Sequence, residues 1–218
     1  MGFWKKYVFL QALFLTIVMF LIGMYVGIAF EQNQFDEMEG YYLKSEISLM
    51  DIVALNNLVM NKNISCEVLK EASFNYADKI YEEATLLEDY EKSGKISEKM
   101  TEVHKKYDLL RTILWMNVIK TRERCKTDFN SVVYLYNYSV KDLTLKAEQS
   151  VWSKVLYKLK KDNPDKVILI PIAVDGNFVS LESLKSEWNI TEYPVVIIND
   201  KQLVYDINSS SNLEKYFK

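Results

Sequence analysis

An uncharged stretch near the N-terminus constrains this chain more than any other feature of its sequence. Residues 7–30 form a run of 24 residues without a charged side chain, and Gln11 and Thr16 are its only polar residues. As an α-helix the run would be about 36 Å long, at about 1.5 Å per residue, whereas the hydrocarbon core of a bilayer is about 30 Å thick. The sequence therefore predicts a helix that spans a membrane and contacts lipid through residues 7–30.

The flanking charges predict an orientation for this helix. Lys5 and Lys6 lie directly before it. The acidic residues that follow it are Glu31, Asp36, Glu37 and Glu39. By the positive-inside rule, the N-terminus is cytoplasmic and the rest of the chain is extracytoplasmic. We therefore expect a single-pass protein of the cell membrane.

A cleaved signal peptide is the alternative to this uncleaved anchor. Gly27 and Ala29 form a small-residue pair that is similar to a weak cleavage site. However, the apolar run is longer than the about 7–15 residues of a signal-peptide core. Its length therefore favours a signal anchor that stays on the protein.

Two glycines in the predicted span have the spacing of a helix-pairing motif. Gly23 and Gly27 match the GxxxG pattern through which membrane helices approach one another closely. Glycine is frequent in membrane helices, so a chance occurrence is the alternative. Pairing with another membrane helix through this face is a hypothesis.

Composition excludes several classes of function. The formal net charge is −3 and the chain has no basic tract, so we do not expect nucleic acid as a partner. Only six glycines and three prolines occur, which favours long regular elements over a disordered chain. The sequence contains no phosphate-binding loop, nucleophile elbow or paired-carboxylate site. It therefore predicts no catalytic residue and no cofactor.

The two cysteines, Cys66 and Cys125, exclude the usual zinc site and favour a disulfide. The chain has one histidine, His104, so four cysteine and histidine ligands are not available. We therefore predict no metal. An even number of cysteines in an extracytoplasmic segment is typical of a disulfide.

Four asparagines match the N-glycosylation acceptor pattern, and this agrees with an extracytoplasmic location. They are Asn63, Asn137, Asn189 and Asn208. Because the chain is rich in asparagine, some of these matches are expected by chance.

Apolar periodicity divides the chain into three predicted domains. Residues 1–34 are a cytoplasmic stub and the signal anchor, residues 35–127 are helical, and residues 128–218 are mixed. Within the helical region, two helices of similar length joined by a short turn predict an antiparallel hairpin over about 65–125.

The predicted hairpin brings the two cysteines together. Cys66 is at the start of its first helix and Cys125 at the end of its second, and these two ends are adjacent in an antiparallel pair. We expect a disulfide that closes the open end of the hairpin. Two free thiols that never meet are the alternative.

The C-terminal domain is predicted to have the element order β-α-β-α-β-β-α. The four strands are predicted at residues 131–136, 167–174, 195–198 and 202–206. The three helices are predicted at residues 141–161, 180–188 and 211–217. The fold class is thus a transmembrane helix, a helical hairpin and an α/β domain.

This order, together with the segments VVYLY, ILIPIAVD and NITEYPVVIIND, resembles the thioredoxin fold over residues 131–217. The resemblance implies a cis bond at Tyr193–Pro194, next to a groove that would also include Tyr138 and Val140. It also implies that Pro171 lies on an edge strand, where proline is tolerated. The whole layout is similar to that of archaeal membrane-bound thioredoxin-like proteins.

The chain departs from this family at the redox motif. The family carries CxxC, or at least one cysteine, at the start of the first helix of the domain, whereas this chain has Val140 and Leu143 there. Ser139 lacks an evident histidine base, so we expect it to cap the helix rather than act as a nucleophile. Asp175 is either a buried carboxylate or, as we expect, a turn residue at a strand end.

These features predict a non-catalytic, membrane-anchored domain that binds an extended peptide or a protein partner, as a chaperone-like or scaffold subunit. A thiol–disulfide oxidoreductase using Cys66 and Cys125 is one alternative. A structural subunit of a membrane complex, joined through Gly23 and Gly27 and the tyrosine-rich hairpin, is another.

Overall fold

Long helices precede a small mixed sheet along this chain. The computed structural model describes residues 3–61, 65–92, 98–126, 128–206 and 210–217. The helices are α1 (Phe3–Asn61), α2 (Cys66–Lys92), α3 (Glu98–Cys125), α4 (Leu143–Asp162), α5 (Val179–Glu187) and α6 (Ser210–Glu214). The strands are β1 (Asn130–Tyr136), β2 (Val167–Ala173), β3 (Val195–Ile198) and β4 (Gln202–Val204). The mixed fold class is as predicted.

The chain separates into two units, Met1–Tyr41 and Tyr42–Lys218. The first unit holds the apolar run Tyr7–Phe30, which has a mean hydropathy of 2.5 and is exposed along its length. By length and composition it is the one helix among the described residues that is able to cross a membrane. A Cβ atom added at Gly23 or Gly27 would meet nothing within 4 Å, so the GxxxG face is open in the monomer.

The second unit contains the predicted hairpin with its disulfide. Cys66 and Cys125 are bonded, with their Cα atoms 5.5 Å apart, so the start of α2 lies beside the end of α3. The apolar seam of α3 is buried at Val103, Tyr107, Leu110 and Leu114. Facing residues of α2 that are also buried are Leu69, Tyr76 and Ile80. The predicted disulfide is confirmed, and the neighbouring ends of α2 and α3 agree with an antiparallel pair.

The sheet has the strand order β2-β1-β3-β4. β1 and β2 are parallel, connected through α4, whereas β3 is antiparallel to both β1 and β4. β2 is therefore an edge strand, and Pro171 lies within it as predicted.

One face of the sheet packs against α4 and α6. Trp152, Leu156 and Leu159 of α4 follow helical spacing and are all buried in this core. Val132 and Tyr134 of β1 face them from the sheet. Other buried members of this core are Val167, Val196, Ile198 and Leu213. Val151, one position before Trp152 and so about 100° around the helix from it, does not face this core, and its side chain is 52% exposed.

The other face packs against α3 and α5. Trp115 of α3 is fully buried, and its ring stacks on Trp188 at 5.1 Å. Its indole nitrogen donates to Asp200 Oδ1 at 3.0 Å, in the turn between β3 and β4. The helical hairpin is therefore joined to the sheet by both apolar and polar contacts.

Replacing both cysteines by serine is expected to lower the free energy of unfolding by about 2–4 kcal/mol. The disulfide closes a loop of 59 residues, and this closure restricts the unfolded chain. The measurement is urea unfolding of the full chain in detergent micelles, followed by tryptophan fluorescence. Reduced wild type is the control and should match the variant. A variant as stable as the oxidised wild type would contradict the expectation.

Candidate functional site

The end of the sheet where β1 leaves and β3 enters holds the residues of the predicted groove. The antiparallel register places Leu135 opposite Val195, so the loop after β1 and the segment before β3 emerge at the same end. The Tyr193–Pro194 peptide bond is cis. Pro194 is buried, whereas Tyr138, Val140 and Tyr193 are half-buried.

The loop between β1 and α4 ends in a carboxylate cap. α4 begins at Leu143, and the Asp142 side chain accepts hydrogen bonds from the backbone of Thr144 and Leu145, at 2.7 and 3.3 Å. The predicted capping role of Ser139 is wrong, because the helix begins two residues later than expected and Asp142 occupies the cap position. The side chain of Ser139 is exposed.

Asp175 fixes the shape of this loop. It is exposed in a 3-10 turn directly after β2, as expected for a turn residue. Its two carboxylate oxygens accept from the backbone N–H groups of Tyr138 and Ser139, each at 2.9 Å. These bonds hold the Tyr138 backbone in place, and the Tyr138 ring lies against the His104 ring, with centroids 3.9 Å apart.

A buried polar cluster on α3, formed by His104, Asp108 and Arg111, was missed by the sequence reasoning. Asp108 Oδ2 lies 3.0 Å from Nδ1 of His104, and Asp108 Oδ1 accepts from Arg111 at 3.0 Å. Oδ1 also accepts from the backbone N–H of Ala173, at 3.0 Å, where β2 ends. An ionised carboxylate only accepts, so Nδ1 of His104 carries the hydrogen of their bond.

This cluster has a weak signal in the sequence. His104, Asp108 and Arg111 are spaced by four and three residues, so they share a face of α3 beside its apolar seam. Polar residues along such a seam indicate a buried network. The partner on β2 is not visible from helical spacing.

A cavity of about 560 Å³ lies between the hairpin, α4 and the edge strand β2. Arg111 and His104 of α3 contribute to its wall, together with apolar residues of α2 such as Ala77 and Ile80. Five tyrosines supply much of the lining, and they are Tyr81, Tyr134, Tyr136, Tyr138 and Tyr157. The volume is within the range of about 300–1,000 Å³ that is usual for small-molecule sites.

The structure separates the residues of the predicted groove into different surroundings. Tyr138 lines the cavity, whereas Val140, Tyr193 and Pro194 are not among its lining residues. The Tyr193 ring instead lies 5.4 Å from the ammonium group of Lys185. The grouping of these four residues around one peptide groove stays a prediction.

A second polar cluster, around Asp200, joins α3 to the turn after β3. Besides the bond from Trp115, Asp200 accepts from the Ser131 hydroxyl at 3.3 Å and lies 3.4 Å from Nε of Arg122. Burial raises the pKa of Asp200 and lowers that of Arg122, so the loss of hydration outweighs their attraction. The position of these groups between packed elements gives them a structural role.

The structure gives little information on the predicted glycosylation sites. Asn137 is half-buried and Asn189 is exposed, whereas Asn63 and Asn208 lie outside the described residues. Glycosylation stays a prediction. Over the described ranges, no group of three or more His, Cys, Asp and Glu side chains is arranged to hold a metal ion.

Comparison of the chain with family models, with curated proteins and with solved structures gave no match. The roles of these residues are therefore argued from their geometry and chemistry.

Replacing Asp108 by alanine is expected to destabilise the fold by about 3–5 kcal/mol, because Arg111 would remain as a buried, unpaired charge. The measurement is urea unfolding of the full chain. The control is Glu102→Ala on the same helix, since the exposed Glu102–Lys105 pair should contribute about 1 kcal/mol or less. Equal effects of the two substitutions would show that the buried cluster does not hold the fold together.

Proposed function

We propose that this chain is a single-pass membrane protein whose thioredoxin-like domain lies outside the cell membrane and binds a protein partner without thiol chemistry. The apolar helix and its flanking charges support the anchor and its orientation. The strand order β2-β1-β3-β4, with only β1 and β2 parallel, supports the likeness to the thioredoxin core.

The observation that carries the proposal of a role without thiol chemistry is the position of the two sulfur atoms. Both belong to the Cys66–Cys125 disulfide, which lies shortly before the start of β1. The α4 N-terminus follows the other end of β1, and a strand of seven residues is about 20 Å long. A thioredoxin-like enzyme needs its thiol at that helix N-terminus, and here Asp142 occupies the cap.

An extended peptide is the kind of partner that this end of the sheet favours. The segment before β3 lies outside the strands, and an extended peptide is able to pair with such open backbone groups. In this proposal the half-buried rings of Tyr138 and Tyr193 and the half-buried side chain of Val140 supply apolar surface to the peptide. In this proposal the peptide lies along Pro194.

Replacing Tyr193 by aspartate is expected to weaken peptide binding at least tenfold, because a charge would replace an aromatic contact. The full chain in nanodiscs is used to select binders from a peptide library, and the best peptide is measured by fluorescence anisotropy. Tyr205→Asp is the matched control, since Tyr205 is an exposed tyrosine beyond β4. Both variants must keep the wild-type unfolding midpoint. Equal affinity of the two variants would exclude the groove.

A thiol–disulfide oxidoreductase is the second candidate, and one observation favours it. Cys66 is exposed and is the first residue of α2, where the positive end of the helix dipole would stabilise a released thiolate. Such a role needs a disulfide that opens readily and an accessible thiol.

Thiol labelling in intact cells separates the two candidates and tests the topology. We expect a membrane-impermeant alkylating reagent to label both cysteines only after reduction with an impermeant reductant. We also expect insulin reduction by the wild type to equal that by the Cys66→Ser/Cys125→Ser variant. Labelling without reduction would contradict the predicted orientation or the disulfide. Faster insulin reduction by the wild type than by the double-serine variant would support the oxidoreductase.

A further inference from the structure

The cavity beside β2 has an aromatic wall. The rings of Tyr134 and Tyr136 are stacked, with centroids 5.2 Å apart, and those of Tyr81 and Tyr157 are stacked at 6.2 Å. These flat surfaces come from the sheet, α2 and α4, and all four residues line the cavity. Flat, mostly apolar walls suit a flat, mostly apolar molecule.

One charged side chain in this wall lacks a full set of partners. Arg111 is 4% exposed, and its terminal nitrogen donates to Asp108 at 3.0 Å. Its Nε atom is buried and has no hydrogen-bond partner among the described residues. A buried donor without a partner costs about 1–3 kcal/mol, and more on a charged group. A ligand that brings an acceptor to Arg111 would remove this cost.

The charges around the cavity favour an anion as that acceptor. The cationic or potentially cationic groups that line it are Arg111, His104 and Lys154, and none of the described lining residues is a carboxylate. Asp108, the nearest acid on α3, already contacts His104, Arg111 and the backbone N–H of Ala173. Both of its oxygens thus accept from donors of the protein, and Asp108 is not among the residues that line the cavity.

We propose that this cavity binds a small aromatic carboxylate, with the carboxylate on Arg111 and the rings between the tyrosines. Of the residues assigned to the peptide groove only Tyr138 lines this cavity, whereas Val140, Tyr193 and Pro194 do not. It does not depend on the proposed peptide binding. Arg111 supplies both charge and a directed N–H, so the anion determines the orientation of the ligand and the apolar body supplies contact area.

The first test compares two probes of nearly equal shape. Binding of 2-naphthoate and of its neutral analogue 2-naphthylmethanol is measured by isothermal titration calorimetry on the full chain in nanodiscs, with empty nanodiscs subtracted. We expect naphthoate to bind at least tenfold more tightly. Equal affinities would overturn the assignment of an anion site, and the absence of saturable binding would overturn the cavity as a site for these ligands. Tighter binding of a short peptide with a free C-terminal phenylalanine would overturn the small-molecule class.

The second test places a large side chain in the cavity. Ser153 lies on α4, is exposed and lines the cavity, so Ser153→Trp should reduce naphthoate affinity at least tenfold. Ser150 is exposed on the same helix and does not line the cavity, so Ser150→Trp is the matched control and should bind as the wild type does. Equal binding by the two variants would place the ligand elsewhere.

The third test isolates the unpartnered nitrogen. Arg111→Lys keeps a positive charge beside Asp108 but removes Nε, so the affinity for naphthoate should fall while that for naphthylmethanol stays unchanged. Thermal unfolding verifies that the variant is folded. An equal loss for both probes would assign Arg111 a purely structural role and contradict the proposal. Should this variant fail to fold, the two tryptophan variants still decide whether the cavity is the site.

Discussion

The fold of the second unit depends on one buried carboxylate, that of Asp108. An ion at 2% exposure costs several kcal/mol unless it is well paired, and Asp108 contacts donors on both oxygens. One of these donors, the backbone N–H of Ala173, belongs to the edge strand β2. The hairpin is therefore fixed to the sheet at a point that tolerates little displacement.

The cavity is a consequence of how the edge of the sheet is covered. An open edge strand invites pairing with other chains, and here the hairpin lies against β2 while α4 crosses the neighbouring face. The bulky rings at this junction do not fill the space between the three layers. The loop after β1 closes one side, because Asp175 holds its backbone and the ring of Tyr138 rests on His104. The wall of the cavity and the support of this loop thus share the same residues.

Sequence reasoning located the elements whose signal is local and periodic. The α3 seam at Val103, Tyr107, Leu110 and Leu114 and the apolar run of β1 are such signals. The hairpin predicted from the helices then placed the two cysteines together, and they are bonded. Sequence reasoning failed where the role of a residue depends on a partner that is distant in sequence. It also failed where two nearby residues could both cap the same helix. The role of Asp108 depends on β2, 65 residues away. The choice of Asp142 over Ser139 as the cap depends on where the loop after β1 ends.

The start of α4 and the cavity are connected through the loop after β1. Here the helix N-terminus is neutralised by the Asp142 carboxylate, and the loop backbone is held by Asp175. The aromatic side chain of Tyr138, in this loop, lines the cavity. Arg111 of α3 lines the same cavity, and its Nε atom is buried without a hydrogen-bond partner among the described residues.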